Sequence, residues 1–309
     1  MKKINSKTLD LLKKHLINLG NIEPSLARKD ANNPELLKLW KGLVRDSGGR
    51  WLKYYFEGYK YFQYGIQPKP NLENSNNVVY IKTAIDQQRN FIQGLINQDI
   101  EDFRTWLISL HKKQIYNGND IKTAAKKRFA LIIHSKIVLD AVIPLAKRYH
   151  DPYANKGTQF VYLPKIAKKG LPKDVWDNEK EVFHYYSDPS FLPQYLSIME
   201  EILQQIITTS HVGKELLSKI ALYYQYAINT HMFEHINQSL FANQTNALLQ
   251  VFGYEPINHG ILDFVAMRLQ PANFVKYFID EVKSRQKPKK LISRSNKDEN
   301  RYLRLSNIK

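Results

Sequence analysis

A histidine, an asparagine and two further polar residues lie in one short segment where the sequence predicts a turn between two helices. His231 ends a stretch whose apolar residues recur at three- and four-residue steps, as in a helix with one buried face. Asn237, Gln238 and Ser239 open a second stretch of this kind, which Gly253 is placed to end. A neutral imidazole suits a general base near pH 7. Amide and hydroxyl donors at a helix N-terminus suit phosphate oxygens.

This segment resembles the active-site loop of the Fic/Doc (Fido) family, whose members transfer nucleotides or other phosphate-containing groups. The family loop reads His-Pro-Phe, any residue, Asp or Glu, then Gly-Asn-Gly-Arg. His231, Phe233 and Asn237 match three of these positions at the same spacing. Residues 253–257, Gly-Tyr-Glu-Pro-Ile, are similar to the sequence that often follows the family's next helix. The resemblance covers roughly residues 100 to 258, including segments at 107–114 and 187–202.

The resemblance implies a fold and a role for each loop residue. The fold would be mainly α, with a Fic/Doc-like helical core, a short β-hairpin flap beside the active-site loop and an N-terminal helical region. His231 would be the general base, and Asn237 would act in catalysis and in binding the phosphate. Gln238 and Ser239 would offer neutral hydrogen bonds to the same ligand, and the ring of Phe233 would anchor the loop in the core. Thr158 to Lys173 would form the flap, which in the family aligns the target's backbone by strand addition.

Departures from the family pattern affect how a phosphate donor would be held. Ser239 stands where the family has its first arginine, and serine lacks the fork of charged donors that grips a phosphate. His235 replaces the acid that holds Mg²⁺, a hard cation that prefers oxygen ligands. Ile236 stands where the family has a glycine, and a β-branched isoleucine excludes the positive φ that glycine permits. The candidate cofactor is therefore a nucleotide or other phosphate-containing donor, and the loop disfavours a role for Mg²⁺.

Three functions are compatible with these residues. The first is a transferase related to protein adenylyltransferases (AMPylation enzymes), which moves a phosphate-containing moiety onto a protein hydroxyl. The second is a degenerate member of the family that no longer catalyses and acts as a binding or regulatory module, with His231 and Asn237 only capping helix ends. The third is a nucleic-acid-binding protein, which the net charge of +17 permits but no motif supports. His231 and His235 are four residues apart, but no third ligand follows at a telling spacing, so we predict no metal site.

Composition limits the compartment and the class of protein. The chain has 309 residues, 43% of them hydrophobic, and no cysteine, which excludes disulfides and thiolate metal sites. No run approaches 18 consecutive apolar residues, so no transmembrane segment is predicted. The first twenty residues have only a broken apolar run and predict an amphipathic helix instead of a cleavable signal. We expect a cytoplasmic protein, or an effector delivered to another cell's cytosol without such a signal.

Three regions can be distinguished along the chain. Residues 1–75 form an aromatic-rich helical region that ends in a linker rich in Pro, Gly and Asn. Residues 76–284 form the Fic/Doc-like domain, with helices predicted near 78–97, 99–115, 120–149, 258–269 and 271–284. Residues 285–309 form a basic, flexible tail. From Lys283 onward ten Lys or Arg residues face two acids, so this end either is a solvated tail or binds a nucleic acid or another anionic surface.

Overall fold

The chain is mainly helical in the part that the structure describes. A computed structural model describes residues 4–43, 69–97, 102–110, 132–134, 145, 147–151, 182–184, 192–209, 211–230, 232–233, 237–259 and 262–286. Within these residues nine α-helices are defined, of which six have fifteen residues or more. Their bounds are α1 Ser6–Ala27, α2 Pro34–Leu43, α3 Ser75–Asn97, α4 Phe103–Ser109, α5 Leu192–Thr208, α6 Lys214–Thr230, α7 Asn237–Val251, α8 Leu262–Arg268 and α9 Pro271–Gln286.

Helix α6 lies at the centre of the larger core. It contacts α5, α7, α8 and α9, and its apolar residues Ile220, Tyr224 and Ala227 are completely buried. Their spacing of three and four residues places them on neighbouring positions around the helix, which is why the sequence predicted a buried face here. Helices α1 and α3 also contribute to this core through Leu12 and Phe91.

Helix α7 joins this core to the N-terminal helices. It contacts α6 on one side and α1, α2 and α3 on the others, so nearly every residue along it is buried. A second, smaller apolar cluster lies between α1, α2 and α3 and includes Leu19, Leu36 and Ile81. The predicted boundary near residue 75, where α3 begins, stays a prediction.

The end of α7 agrees with the sequence. Gly253 has φ +81°, a left-handed conformation that glycine adopts without the steric cost of a Cβ atom. Its N–H bonds to the carbonyl of Gln250 at 3.0 Å, and the N–H of Tyr254 bonds to the carbonyl of Leu249 at 2.8 Å. This pair of bonds is a Schellman motif, which satisfies two carbonyls at the helix end. The prediction that Gly253 stops the second helix is confirmed.

Two short strands differ from the sequence prediction. Ile132–His134 pairs antiparallel with Val182–His184, so the predicted helix over 120–149 is wrong at its centre. Ile132 and Ile133 are β-branched and favour extended backbone. The helix prediction did not take this preference into account. The predicted flap, Thr158 to Lys173, and the basic tail beyond 286 lie outside the described residues. Within the residues described, no helix is long and apolar enough to cross a membrane.

Candidate functional site

The sequence-predicted loop lies between the last residue of α6 and the first of α7. Helix α6 ends at Thr230, whose hydroxyl donates to the carbonyl of Tyr226 at 2.6 Å, and α7 begins at Asn237. The predicted arrangement of helix, loop and helix is therefore confirmed. His231, the proposed base, lies outside the described residues. Met232 and Phe233, which follow it, are both buried.

The side chain of Asn237 holds this loop to the start of α7. Its Oδ1 accepts a hydrogen bond from the backbone N–H of Phe233 at 2.8 Å, and its Nδ2 donates to the backbone carbonyl of Phe233 at 2.5 Å. Asn237 is 1% exposed, so these bonds satisfy backbone groups that would otherwise be costly to bury. In this arrangement Asn237 positions the loop backbone.

The ring of Phe233 anchors the loop in the core. It is 1% exposed and stacks on Phe241 of α7, with ring centroids 6.4 Å apart and planes tilted by 28°. The expectation that this ring packs into the core is confirmed. The loop is therefore attached to α7 twice, through the Phe233 ring and through the Phe233 backbone.

A cavity of about 370 Å³ opens beside the first turns of α7. It lies between α7, α3 and the end of α2, and ligand pockets in proteins typically begin at about 300 Å³. Its apolar wall is formed by Leu43, Val79 and Ala84. Its polar lining comes from two helices, with Tyr80, Thr83 and Gln87 on α3 and Gln238, Ser239 and Asn243 on α7. Two residues that the sequence singled out, Gln238 and Ser239, thus line a cavity together with residues from the N-terminal helices.

A hydrogen bond between side chains joins the two polar walls. Nδ2 of Asn243 donates to Oε1 of Gln87 at 2.6 Å, across 156 residues of sequence. Asn243 is buried and Gln87 is partly exposed. No sequence pattern predicted either residue as part of a site. A signal was present, because Asn243 lies among apolar residues at buried positions of α7, where an amide needs a partner.

The cavity lining is uncharged in the part of the chain that the structure describes. The nine lining residues there include no Lys, Arg, His, Asp or Glu. The N-terminal end of α7 lies beside the cavity, and its first backbone N–H groups carry a partial positive charge. Within the described part of the chain no group of three or more His, Asp or Glu side chains could hold a metal ion.

Buried polar contacts hold the rest of α7 in place behind the cavity. Asn246 bonds to both backbone groups of Ile257, with Nδ2 to the carbonyl at 3.0 Å and the N–H to Oδ1 at 2.9 Å. Further along α6, the hydroxyl of Tyr223 donates to Oε1 of Gln244 at 2.7 Å. Complete burial raises the pKa of Tyr223 far above its usual range, so the phenol keeps its proton and stays a donor.

Comparison of the chain with models of protein families and with curated proteins found no match.

Proposed function

We propose that this protein is a Fic/Doc-like transferase that moves a phosphate-containing, nucleotide-derived moiety onto a hydroxyl of a protein substrate in a cytosol. His231 is the general base, and Asn237, Gln238 and Ser239, in the first turn of α7, bind the donor. The finer fold belongs to the same proposal, namely a Fic/Doc-like core with a flap at residues 158–173. The family resemblance of residues 231–257 is its starting point.

One observation carries the proposal beyond the sequence. The cavity of about 370 Å³ opens beside the first turns of α7, and Gln238 and Ser239, the two ligand-binding candidates, line it. A transferase needs a concave site next to its donor-binding groups, and helix N-termini favour anionic groups. The cavity therefore supplies space for a donor next to the loop that carries His231.

The proposed step balances without a further reactant. The hydroxyl oxygen of the protein substrate forms a bond to the donor phosphorus, and its proton passes to the imidazole of His231. The bond from phosphorus to the leaving oxygen then breaks, and the leaving group departs with its electron pair. For an AMP transfer the leaving group is pyrophosphate. The N–H groups at the start of α7 and the side chain of Ser239 would stabilise the charge on the phosphoryl oxygens.

A second function, a binding module without catalysis, is favoured by a different observation. Both polar ends of the Asn237 side chain bond to the backbone of Phe233. This is a structural use of a residue that the family uses toward the phosphate. In that case the cavity would bind a ligand or a partner's side chain, and the loop would serve only to shape it.

Labelled donors distinguish the two functions. The full-length protein is incubated with nucleotides labelled either on the base or on the α-phosphate, together with a cell lysate. Transfer of label to a protein is followed by autoradiography and mass spectrometry. His231→Ala should lower the transfer by about 10²- to 10⁴-fold, the usual effect of losing a positioned base.

His211→Ala is the matched control, because His211 is an exposed histidine just before α6. It should transfer label at the wild-type rate. Equal transfer by wild type and His231→Ala would remove the assignment of the base. Absence of transfer from every donor, with ligand binding retained, would favour the binding module.

A further inference from the structure

The cavity beside α7 presents a hydrogen-bonding pattern that selects one kind of ligand. The amides of Gln87 and Asn243 are bonded to each other and both line the cavity. One bond between two amides uses one donor group and one acceptor group. Whichever way each amide is turned, an NH₂ group of one residue and a carbonyl of the other remain. No other hydrogen bond of these two side chains is formed within the described residues.

The remaining donor and acceptor belong to two amides that are bonded to each other on the cavity wall, so both lie within reach of one small ligand. A ligand satisfies both when it carries an acceptor next to a donor on one rigid edge. Amides and the heterocyclic bases of nucleosides have such an edge, and proteins read bases by hydrogen bonds to it together with stacking. Tyr80 on the cavity wall offers an aromatic ring, and Leu43, Val79 and Ala84 offer apolar surface.

The phosphate end of a nucleotide is disfavoured inside the cavity. A phosphate taken out of water needs Arg, Lys, a metal or several N–H donors. Among the described residues the lining carries no charge, so an uncharged group is favoured inside and an anionic group at the rim beside the first turn of α7.

The geometry points to a binding site, between Gln87 of α3 and Asn243 of α7, for an uncharged planar group that carries a hydrogen-bond donor next to an acceptor, as in a nucleoside base or a carboxamide. This inference deepens the proposed function and rests on it only for placing the phosphate end of the donor at the α7 rim. The N-terminal helices, through Tyr80, Thr83 and Gln87, thereby select the ligand.

Ligands without phosphate test the site. Adenosine and uridine are titrated into the full-length protein by calorimetry or ligand-observed NMR, next to N6,N6-dimethyladenosine and 3-methyluridine, which lack the donor of the edge. Nicotinamide provides a carboxamide without a nucleoside base, and ribose 5-phosphate provides phosphate without a base. We expect the parent nucleosides, or nicotinamide if the source is a carboxamide, to bind at least about fivefold more tightly than the methylated nucleosides, since one buried hydrogen bond is worth about that factor.

Two pairs of variants locate the binding. Thr83→Trp fills the cavity from an exposed position of α3, whereas Lys82→Trp adds the same bulk to the neighbouring exposed position outside the lining. Gln87→Met removes one amide of the edge, and Gln93→Met changes an exposed glutamine of the same helix that bonds only to Asn97. We expect Thr83→Trp and Gln87→Met to weaken binding about tenfold or more, and both controls to leave it within twofold.

The inference is overturned if the parent nucleosides bind and their methylated forms bind equally well, if Thr83→Trp does not weaken whichever ligand binds, or if neither the nucleosides nor nicotinamide binds. These measurements need no transfer reaction. Transfer of label without nucleoside or nicotinamide binding would remove this inference and leave the proposed function intact. Binding of these ligands without transfer of label would keep this inference and remove the proposed transferase function.

Discussion

The side chain of Asn237 forms hydrogen bonds with both the N–H and the carbonyl of Phe233, four residues earlier in the chain. The side chain thus holds the backbone of Phe233 to the first turn of α7. Since the Phe233 ring is also packed on Phe241, the backbone between the two residues has fixed ends. The attachment of Phe233 to α7 therefore depends on an amide, which both donates and accepts.

Asn237→Asp tests this dependence. An aspartate accepts from the N–H of Phe233 but cannot donate to its carbonyl, and it brings a negative charge toward that oxygen. We expect a loss of about 1–3 kcal/mol in the free energy of unfolding, measured by chemical denaturation. Asn76→Asp, in the exposed first turn of α3, is the control, and there an acid near the helix N-terminus should be neutral or slightly stabilising. Equal stabilities of Asn237→Asp and wild type would show that the carbonyl bond contributes nothing.

The bond between Tyr223 and Gln244 predicts a recovery in a double variant. Tyr223→Phe leaves Oε1 of Gln244 buried without its donor, and Gln244→Met leaves the phenol without its acceptor. Each should lower the free energy of unfolding by about 1–2 kcal/mol. Tyr223→Phe with Gln244→Met removes both polar groups and should be more stable than either single variant. Strictly additive losses in this cycle would mean that the two side chains do not interact.

The two helices on either side of the loop could be predicted from the sequence, because helical periodicity and turn chemistry depend on neighbouring residues. The apolar spacing before His231, the second periodic stretch and the positive φ of Gly253 all depend on residues within a few positions of each other. The burial of Phe233 was expected from the family resemblance of the loop instead.

The cavity could not be predicted in this way. Its lining brings Gln87 next to Asn243 across 156 residues, and no local pattern encodes the packing of α3 on α7. The strand at Ile132–His134 is a further case, since its pairing with Val182–His184 is also distant in sequence. The amides at buried positions of α7 indicate that hydrogen-bond partners must exist, but the sequence does not identify those partners.

Substitutions of two helical glycines by alanine should have opposite effects, because only Gly42 lies where α2 closely approaches α7. A Cβ atom at Gly42 would lie 2.6 Å from Nδ2 of Asn246, which is itself bonded to Ile257. Gly42→Ala should therefore push α2 away from α7 and cost about 1–3 kcal/mol. Gly20→Ala in α1 meets nothing within 4 Å and should stabilise the protein by about 0.5–1 kcal/mol through helix propensity. Thermal unfolding of both variants checks the prediction, and a Gly42→Ala protein as stable as Gly20→Ala would contradict it.

Stability should depend on pH through a buried carboxyl on α9. Burial raises the pKa of Glu281 to about 7, against a smaller opposing effect of Arg285. The guanidinium lies 4.0 Å from Oε2, which accepts no hydrogen bond from any of the described residues. In the unfolded chain this carboxyl ionises near 4.5, so between these values the folded state binds more protons. The contribution of Glu281 to the free energy of unfolding should then fall as the pH rises from about 4.5 to 7, by about 3 kcal/mol, and stay level above that range.

Glu281→Gln isolates this contribution. The variant has no carboxyl to ionise at this position, so the difference in unfolding free energy between it and wild type should grow in favour of the variant from pH 5 to pH 8. Chemical denaturation at four pH values in that range measures the difference. Glu73→Gln, at an exposed position before α3, serves as control and should track wild type. A Glu281→Gln curve parallel to wild type would mean that Glu281 is ionised throughout the range, and that Arg285 compensates its burial fully.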